Sequence, residues 1–503
     1  MGETKAERRT TALRVGLGVA AALLFCIQEP QAAPELPHGG GRGPELPEPE
    51  PAPLRDVDTD LDAVLERGAL ENACAGIGPT STRRERLLCG KSMFFYETFG
   101  TGGVPRALVA HLSQHYPSSL GLGMSKLGMV RDPASPDDLP LGLAATTPIK
   151  GHLPAVAFTC ASCHFARLAD GRYAVGAPNH GYQYGAQITA LTLYSFTVPT
   201  AAGIPLPGLP RISQEAQAIL EPIVAERKRS LSARISFAET LVAVGGTSFL
   251  LGVPIPPMPE HVQRHYAAWR TGTMDFLIDP LPADDHVHTV SKIPGLFALP
   301  TARERERAHM PSAYLGYAGV APSILSFLKS FVSYGAGDTA AWTDERFAPL
   351  VEYLHSLKAP LPMAPPDALA VRFGRALFVS KGCADCHDGP HGESTRLFTF
   401  DEIGTDPALM RWRDPDLTGH TYPTLPPTPD QPVTHKLKAP RLAGLWTASR
   451  FLHNGSLDTL EQLFCREPRT LRPPPFGTQG HRFTCEGLTD PEKDALVAYL
   501  ESL

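Results

Sequence analysis

The sequence predicts a mainly α fold, in two domains with extensive irregular loops. Three observations point there. Amphipathic segments lie at about 213–244, 322–334 and 345–357, and in the last Phe347, Leu350, Val351, Leu354 and Leu357 recur at three- and four-residue intervals. The chain closes on Thr489-Asp-Pro-Glu492, a capping box with proline inside the first turn, ahead of Leu496, Tyr499, Leu500 and Leu503 on one face. Between such segments run stretches dense in glycine, proline and threonine that carry no period, as at 388–437.

Taken in order, Lys5, Arg8, Arg9 and Arg14 precede an uncharged apolar run, Val15–Ile27, that is short for a membrane span. Residues 1–33 therefore read as a signal peptide, with a retained anchor as the alternative because Pro34 follows the small residues Ala32 and Ala33. Export to the periplasm or an equivalent compartment is the expectation, with membrane contact only if the anchor is retained. Cys26 sits beside bulky Phe25, a poor setting for lipidation, and the Arg8-Arg9 pair is too little for a twin-arginine signal. Residues 34–56 form a Pro/Gly-rich linker without the apolar residues a core needs. An N-terminal domain then spans 57–359, opening on the helical pattern Leu61, Val64, Leu65 and Leu70 and a Gly-rich stretch at Phe99–Val104. After the Pro-rich break at Pro360–Pro366, a C-terminal domain spans 360–503 and begins with a helix at Ala368–Val379. A content of 43% hydrophobic and 19% charged residues excludes general disorder. A net charge of −6, with both signs intermixed, offers no basic stripe for a phosphate backbone, so nucleic acid is not an expected partner.

The chemistry is carried by Cys160-Ala-Ser-Cys163-His164 and Cys383-Ala-Asp-Cys386-His387, both of the form C-x-x-C-H. In that pattern two thiols form thioethers to the vinyl groups of a haem and the adjacent histidine binds its iron. With 9 Cys and 18 His in 503 residues, chance placement gives on the order of 0.01 such motifs per chain. A redox dithiol with an incidental histidine, or half of a zinc site, is the competing reading, but neither explains the histidine twice. Two covalently attached haem c groups are therefore expected. Setting aside Cys26 and these four leaves Cys74, Cys89, Cys465 and Cys485. Cys74–Cys89 and Cys465–Cys485 close short loops and are the expected disulfides, while the spacing leaves the two crossed arrangements open.

Around the motifs stand Ile403-Gly-Thr-Asp-Pro407, Lys438-Ala-Pro-Arg-Leu-Ala-Gly-Leu445 and Phe451-Leu-His-Asn-Gly-Ser456. With two C-x-x-C-H domains and the closing helix, they resemble the bacterial di-haem cytochrome c peroxidase superfamily, which includes the methylamine dehydrogenase maturation enzyme and the latex (rubber) oxygenases. The resemblance covers about 140–503 and is most specific after 366; the long spacing of the motifs is closer to the oxygenase-like branch. It implies two cytochrome c-type domains, each wrapping a haem. It implies a C-terminal electron-transfer haem held by His387 and, in the Gly480-His481 context, by His481, bis-histidine ligation that lowers the potential relative to a methionine ligand. His453 is the competing ligand, and the resemblance places it near a haem propionate instead, with Asn454 and Gly455 shaping the turn. The N-terminal haem, on His164, would be the reaction centre for peroxide or dioxygen. His180 resembles a loop histidine that leaves iron on activation, a ligand the oxygenase-like branch does without. No distal acid is identified.

Trp269, Trp342, Trp412 and Trp446 are candidate relays in a family that uses one, and calcium between the domains is a further implication, through ligands that sequence does not display. The leading expectation is an exported di-haem oxidoreductase, peroxidase-like or dioxygen-using, that exchanges electrons with a small redox protein. A pure electron carrier with both irons six-coordinate is the alternative, and a binding module without haem is the remotest.

Overall fold

The computed structural model describes residues 54–197, 211–243, 259–275, 290–311, 315–408 apart from 318, 320 and 336, and 436–503 apart from 473–474. These all belong to one compact unit that begins at Pro51. The expected signal segment, most of the linker, Trp412 and most of the long loop before 437 lie outside the described residues.

Helices dominate, and the described strands make only small sheets of two or three. The first long helix, α1 (Arg83–Tyr96), starts at a Thr82/Glu85 capping box and is buried on most sides. Helix α2 (Arg106–His115) follows. Strands β1 (Leu143–Ile149) and β2 (Leu153–Phe158) form an antiparallel hairpin. Immediately after it comes the turn α3 (Ala161–His164), which is the first motif. Helices α4 (Tyr184–Leu193), α5 (Gln214–Arg229), α6 (Leu231–Leu241) and α7 (Glu260–Ala267) pack with α2 around a second core that includes Leu112, Tyr116 and Ile188. The expected single helix at 213–244 is two: Ser230 leaves helical geometry at φ −100°, ψ 119°, and its hydroxyl caps α6 by accepting from the Ala233 N–H.

Strands β3 (Thr273–Asp275) and β4 (Val290–Lys292) pair antiparallel. Helices α8 (Ile324–Tyr334), α9 (Asp344–Ser356) and α10 (Ala368–Ser380) fall where the periodicity places them, the last two begun by Thr343 and Asp367 caps. Strands β5 (Leu397–Thr399) and β6 (Lys436–Lys438) give the expected loop region a small sheet. The closing helix α11 (Asp490–Glu501) begins at the expected capping box.

Two helix pairs organise the molecule. Helix α1 crosses α9 at Gly90, where a Cβ would lie 2.2 Å from the Pro349 carbonyl oxygen and 2.5 Å from the Tyr353 Cβ. Beside that contact Arg86 pairs with Glu352 at 2.7 Å, and Phe347 and Leu350 are fully buried, each burial worth ~2 kcal/mol. Helix α10 crosses α11 in the same manner at Gly374, where a Cβ would lie 1.9 Å from the Ala495 carbonyl oxygen. Both contacts need a residue without a side chain. Each C-x-x-C-H motif is thus accompanied by a pair of helices crossing at a glycine. Both expected disulfides, Cys74–Cys89 and Cys465–Cys485, are formed, and the crossed arrangements are not.

Candidate functional site

The first motif is held from all sides through its backbone. The Thr159 hydroxyl donates to the Phe95 carbonyl of α1 at 3.0 Å, tying the end of the hairpin to the helix pair. Within the motif the Cys163 and His164 N–H groups both turn back to the Cys160 carbonyl, at 3.3 and 3.0 Å. The Gly176 N–H donates to the His164 carbonyl at 2.7 Å and the Asn179 N–H to the Cys163 carbonyl at 2.8 Å. Gly142, at φ +98°, lies so close to Ser162 that a Cβ would meet its nitrogen at 2.4 Å. His164 Nδ1–H donates to the Pro294 carbonyl at 3.0 Å, which leaves Nε2 as the lone-pair nitrogen.

That imidazole and both cysteines line a cavity of about 310 Å³ whose other walls are largely apolar, among them Phe99, Phe158, Phe297 and Leu328. The C-terminal half contributes to the lining through Lys438, Pro440, Arg441 and Ala443. Burial holds His164 down at about 4, against the pull of the Pro294 carbonyl. It is therefore neutral at physiological pH, as a metal-binding imidazole must be. Burial pushes both thiols, Cys160 and Cys163, up to about 12. A redox-active dithiol needs the opposite shift.

The second motif repeats this turn. Cys386 and His387 N–H groups donate to the Cys383 carbonyl at 3.2 and 3.1 Å, and His387 Nδ1–H donates to the Gly392 carbonyl. The ring packs near Phe378 of α10, whose own ring meets Tyr499 of α11 edge-on, so the helix crossing supports the imidazole directly. Burial lowers the His387 pKa and raises both thiols of the motif.

His481 is brought to this site by a heavily pinned segment. Arg469 donates to the Gly480 carbonyl at 2.7 Å, Asp406 accepts from the Gly477 N–H at 2.7 Å, and the Thr484 hydroxyl donates to the His481 carbonyl at 2.8 Å. The residue itself takes the left-handed conformation, φ +60°, unusual for a residue with a Cβ. Its pKa is held down at about 3, first by burial and then by repulsion from His387, which therefore lies within electrostatic reach. His481 Nδ1 is buried with no hydrogen-bond partner among the described residues. A buried polar nitrogen left unsatisfied is costly, which makes this imidazole a candidate to take up a ligand. Among the described residues no three His, Cys, Asp or Glu side chains gather as a metal cage.

His180 lines the first cavity, but both its nitrogens are engaged: Nε2–H donates to the Ile293 carbonyl at 2.8 Å, and Nδ1 accepts from the Ser449 N–H at 2.9 Å. In this geometry it ties the two halves together and offers no lone pair to the cavity; burial holds it at about 3. His453 is also buried and held at about 3, and its Nδ1 is 3.3 Å from the Thr405 hydroxyl. Its carbonyl accepts from the Lys292 N–H at 2.8 Å. Asn454 donates to the carbonyls of Pro475 and Gly477 at 3.0 and 2.9 Å, and Gly455 turns at φ +65°. The motif thus shapes a turn that braces the segment carrying His481.

Trp342 is core, between Phe99 and Phe347, and Trp446 donates to the Pro360 carbonyl at 2.7 Å. Trp269 stacks on Tyr184 of the cavity wall at 5.5 Å and donates to His265 at 3.2 Å.

Sequence reasoning missed the cations of the cavity. Lys292 and Lys438 line it, and burial holds them down at about 8 and about 7. The only hint was Lys438's place in a segment singled out for other reasons.

No protein-family model matches the chain, and no characterised protein matches it in sequence. Among solved structures, a chain of Kuenenia stuttgartiensis hydrazine synthase is similar over 48% of this chain and 79% of its own length, with 14% identity and a TM-score of 0.26. At that level the likeness carries no argument about activity. The superfamily resemblance rests on the residues quoted above.

Proposed function

We propose that the protein is an exported di-haem c-type cytochrome in which the first site is the reaction centre and the second transfers electrons. One observation carries the reading. Two distant C-x-x-C-H motifs adopt the same backbone turn, and each donates its imidazole Nδ1–H to a carbonyl, leaving Nε2 available. The first of them opens into an apolar cavity.

Haem iron bound at these positions would supply one-electron redox chemistry and, where a coordination position is open, a site for peroxide or dioxygen. The protein's own part is positional. Cys160 and Cys163 would anchor the first haem and His164 hold its iron, while the cavity's aromatic walls keep bulk water away. Because both nitrogens of His180 are committed to Ile293 and Ser449, this histidine would not hold the first haem, which suits an enzyme better than a pure carrier. Lys292 would supply a cation for the carboxylates of a haem, and Lys438 can take up or release a proton near the cavity at neutral pH. At the second site, His387 and His481 would together hold the haem iron, suiting it to exchange electrons with a small redox protein. The two cytochrome c-type domains, and membership of the di-haem peroxidase superfamily, are part of the same proposal.

The test is the haem count. Protein co-expressed with haem-maturation machinery should carry two covalent haems per chain by mass and by pyridine haemochrome absorbance. Cys160→Ala and Cys383→Ala should each lose one. A wild-type chain that purifies folded and without covalent haem ends the proposal.

A further inference from the structure

We infer that Arg441, from the C-terminal half of the chain, is the positioning residue of the first site: its guanidinium fork fixes the loop whose carbonyl orients His164. This rests on the proposal that His164 binds a haem iron. Arg441 Nε donates to the Phe297 carbonyl at 2.9 Å and an Nη to the Gly295 carbonyl at 2.7 Å. Gly295 directly follows Pro294 and Phe297 lies two residues further; the carbonyl of Pro294 itself accepts the His164 Nδ1–H at 3.0 Å. Two diverging donors on one planar group can hold two carbonyls two residues apart, a task for which the single ammonium of lysine is poorly shaped.

The side chain lies on the wall of the cavity that His164 also lines. The N–H of Leu442, the next residue, donates to the His391 carbonyl at 3.0 Å, and the Leu442 side chain packs on Gly392, whose carbonyl accepts the His387 Nδ1–H. Two successive residues, Arg441 and Leu442, therefore touch the supports of both candidate iron-binding histidines.

The chemical consequence follows from the Nδ1–H bond. A firm bond from Nδ1–H to a carbonyl makes the imidazole a better donor at Nε2, which stabilises ferric iron, and fixes the plane of the ring. Releasing the Gly295–Phe297 loop would weaken that bond without touching the cysteines or the histidine.

The experiment uses the full-length, haem-loaded protein. Arg441→Lys keeps the charge and removes the fork. The expected result is a first-haem reduction potential shifted upward in a spectroelectrochemical titration, with broadening of that haem's low-temperature paramagnetic resonance signal and an unmoved second-haem signal. Arg441→Gln, which keeps one donor, should show the same broadening and serves if the lysine variant does not accumulate. Unchanged first-haem potential and signal in these variants, with both haems attached, would overturn the inference. A wild-type protein lacking haem at His164 would instead overturn the reading on which it rests.

Discussion

Gly374 sets two effects of opposite sign against each other. Replacing glycine by alanine inside a helix normally stabilises it, by ~1 kcal/mol. At Gly374→Ala the new methyl would lie 1.9 Å from the Ala495 carbonyl oxygen and 2.8 Å from the Tyr499 Cβ, both on α11. Ordinary van der Waals contact begins near 3.4 Å, so the two helices must part by more than an ångström. Overpacking of this kind costs about 1–3 kcal/mol or more, and both neighbouring atoms belong to a helix that cannot swing aside as a long side chain could. The crossing buries Leu377, Leu496 and Leu500, whose contacts loosen together when the helices separate. The expected net effect is destabilisation by about 2 kcal/mol, read as a lowered urea midpoint with an unchanged slope. Because Phe378 links the crossing to His387, the second site's absorbance should shift as well. A variant as stable as the parent, or more so, would refute the claim that the crossing demands glycine.

Further outcomes are expected. His481→Ala should keep covalent attachment at Cys383 and Cys386 but abolish the low-spin signature of the second site; a spectrum that stays low-spin would assign the second ligand elsewhere. His180→Gln should leave the cyanide affinity of the first site unchanged, since both nitrogens of His180 are committed to Ile293 and Ser449 in this geometry, and a marked gain in cyanide affinity would show that His180 occupies iron in the parent. Lys438, buried and held down at about 7 against the usual 10.5, binds its proton more weakly folded than unfolded. Stability should therefore rise with pH from about 7 towards about 10.5, by at most ~1.4 kcal/mol per pH unit. Lys438→Met should flatten that slope in urea titrations, and a slope left unchanged would show that haem carboxylates or other partners keep the lysine charged. Cys160→Ala should lower the yield of folded protein together with the absorbance, because the cavity walls enclose a space that the cofactor is expected to fill; normal yield would contradict this.

What the sequence displayed was local. The C-x-x-C-H turns, the Thr489 capping box, the Asp367 cap and both short-range disulfides depend on residues near one another in the chain, so pattern was enough. Helix α1 carried a legible signal, Thr82 with Glu85, but its amphipathic period is weak because nearly every face is buried, Gly90 and Lys91 included. The break at Ser230 was hidden because polar and apolar residues keep alternating across it, while the hydroxyl settles the matter by capping α6. His180 looked like a displaceable ligand from its neighbours, yet its partners, Ile293 and Ser449, lie far along the chain. The cavity's cations and the Arg441 clamp are products of tertiary packing and leave no periodic trace.

The measurement closest to the central claim is the low-temperature paramagnetic resonance spectrum of the oxidised, haem-matured protein, recorded before and after cyanide. The account predicts two populations. One is a low-spin signal from His387 and His481 that ignores cyanide, and the other comes from the haem on His164 and changes when cyanide binds its open position. Two low-spin signals that both ignore cyanide would contradict a reaction centre at the first cavity and make the protein an electron carrier.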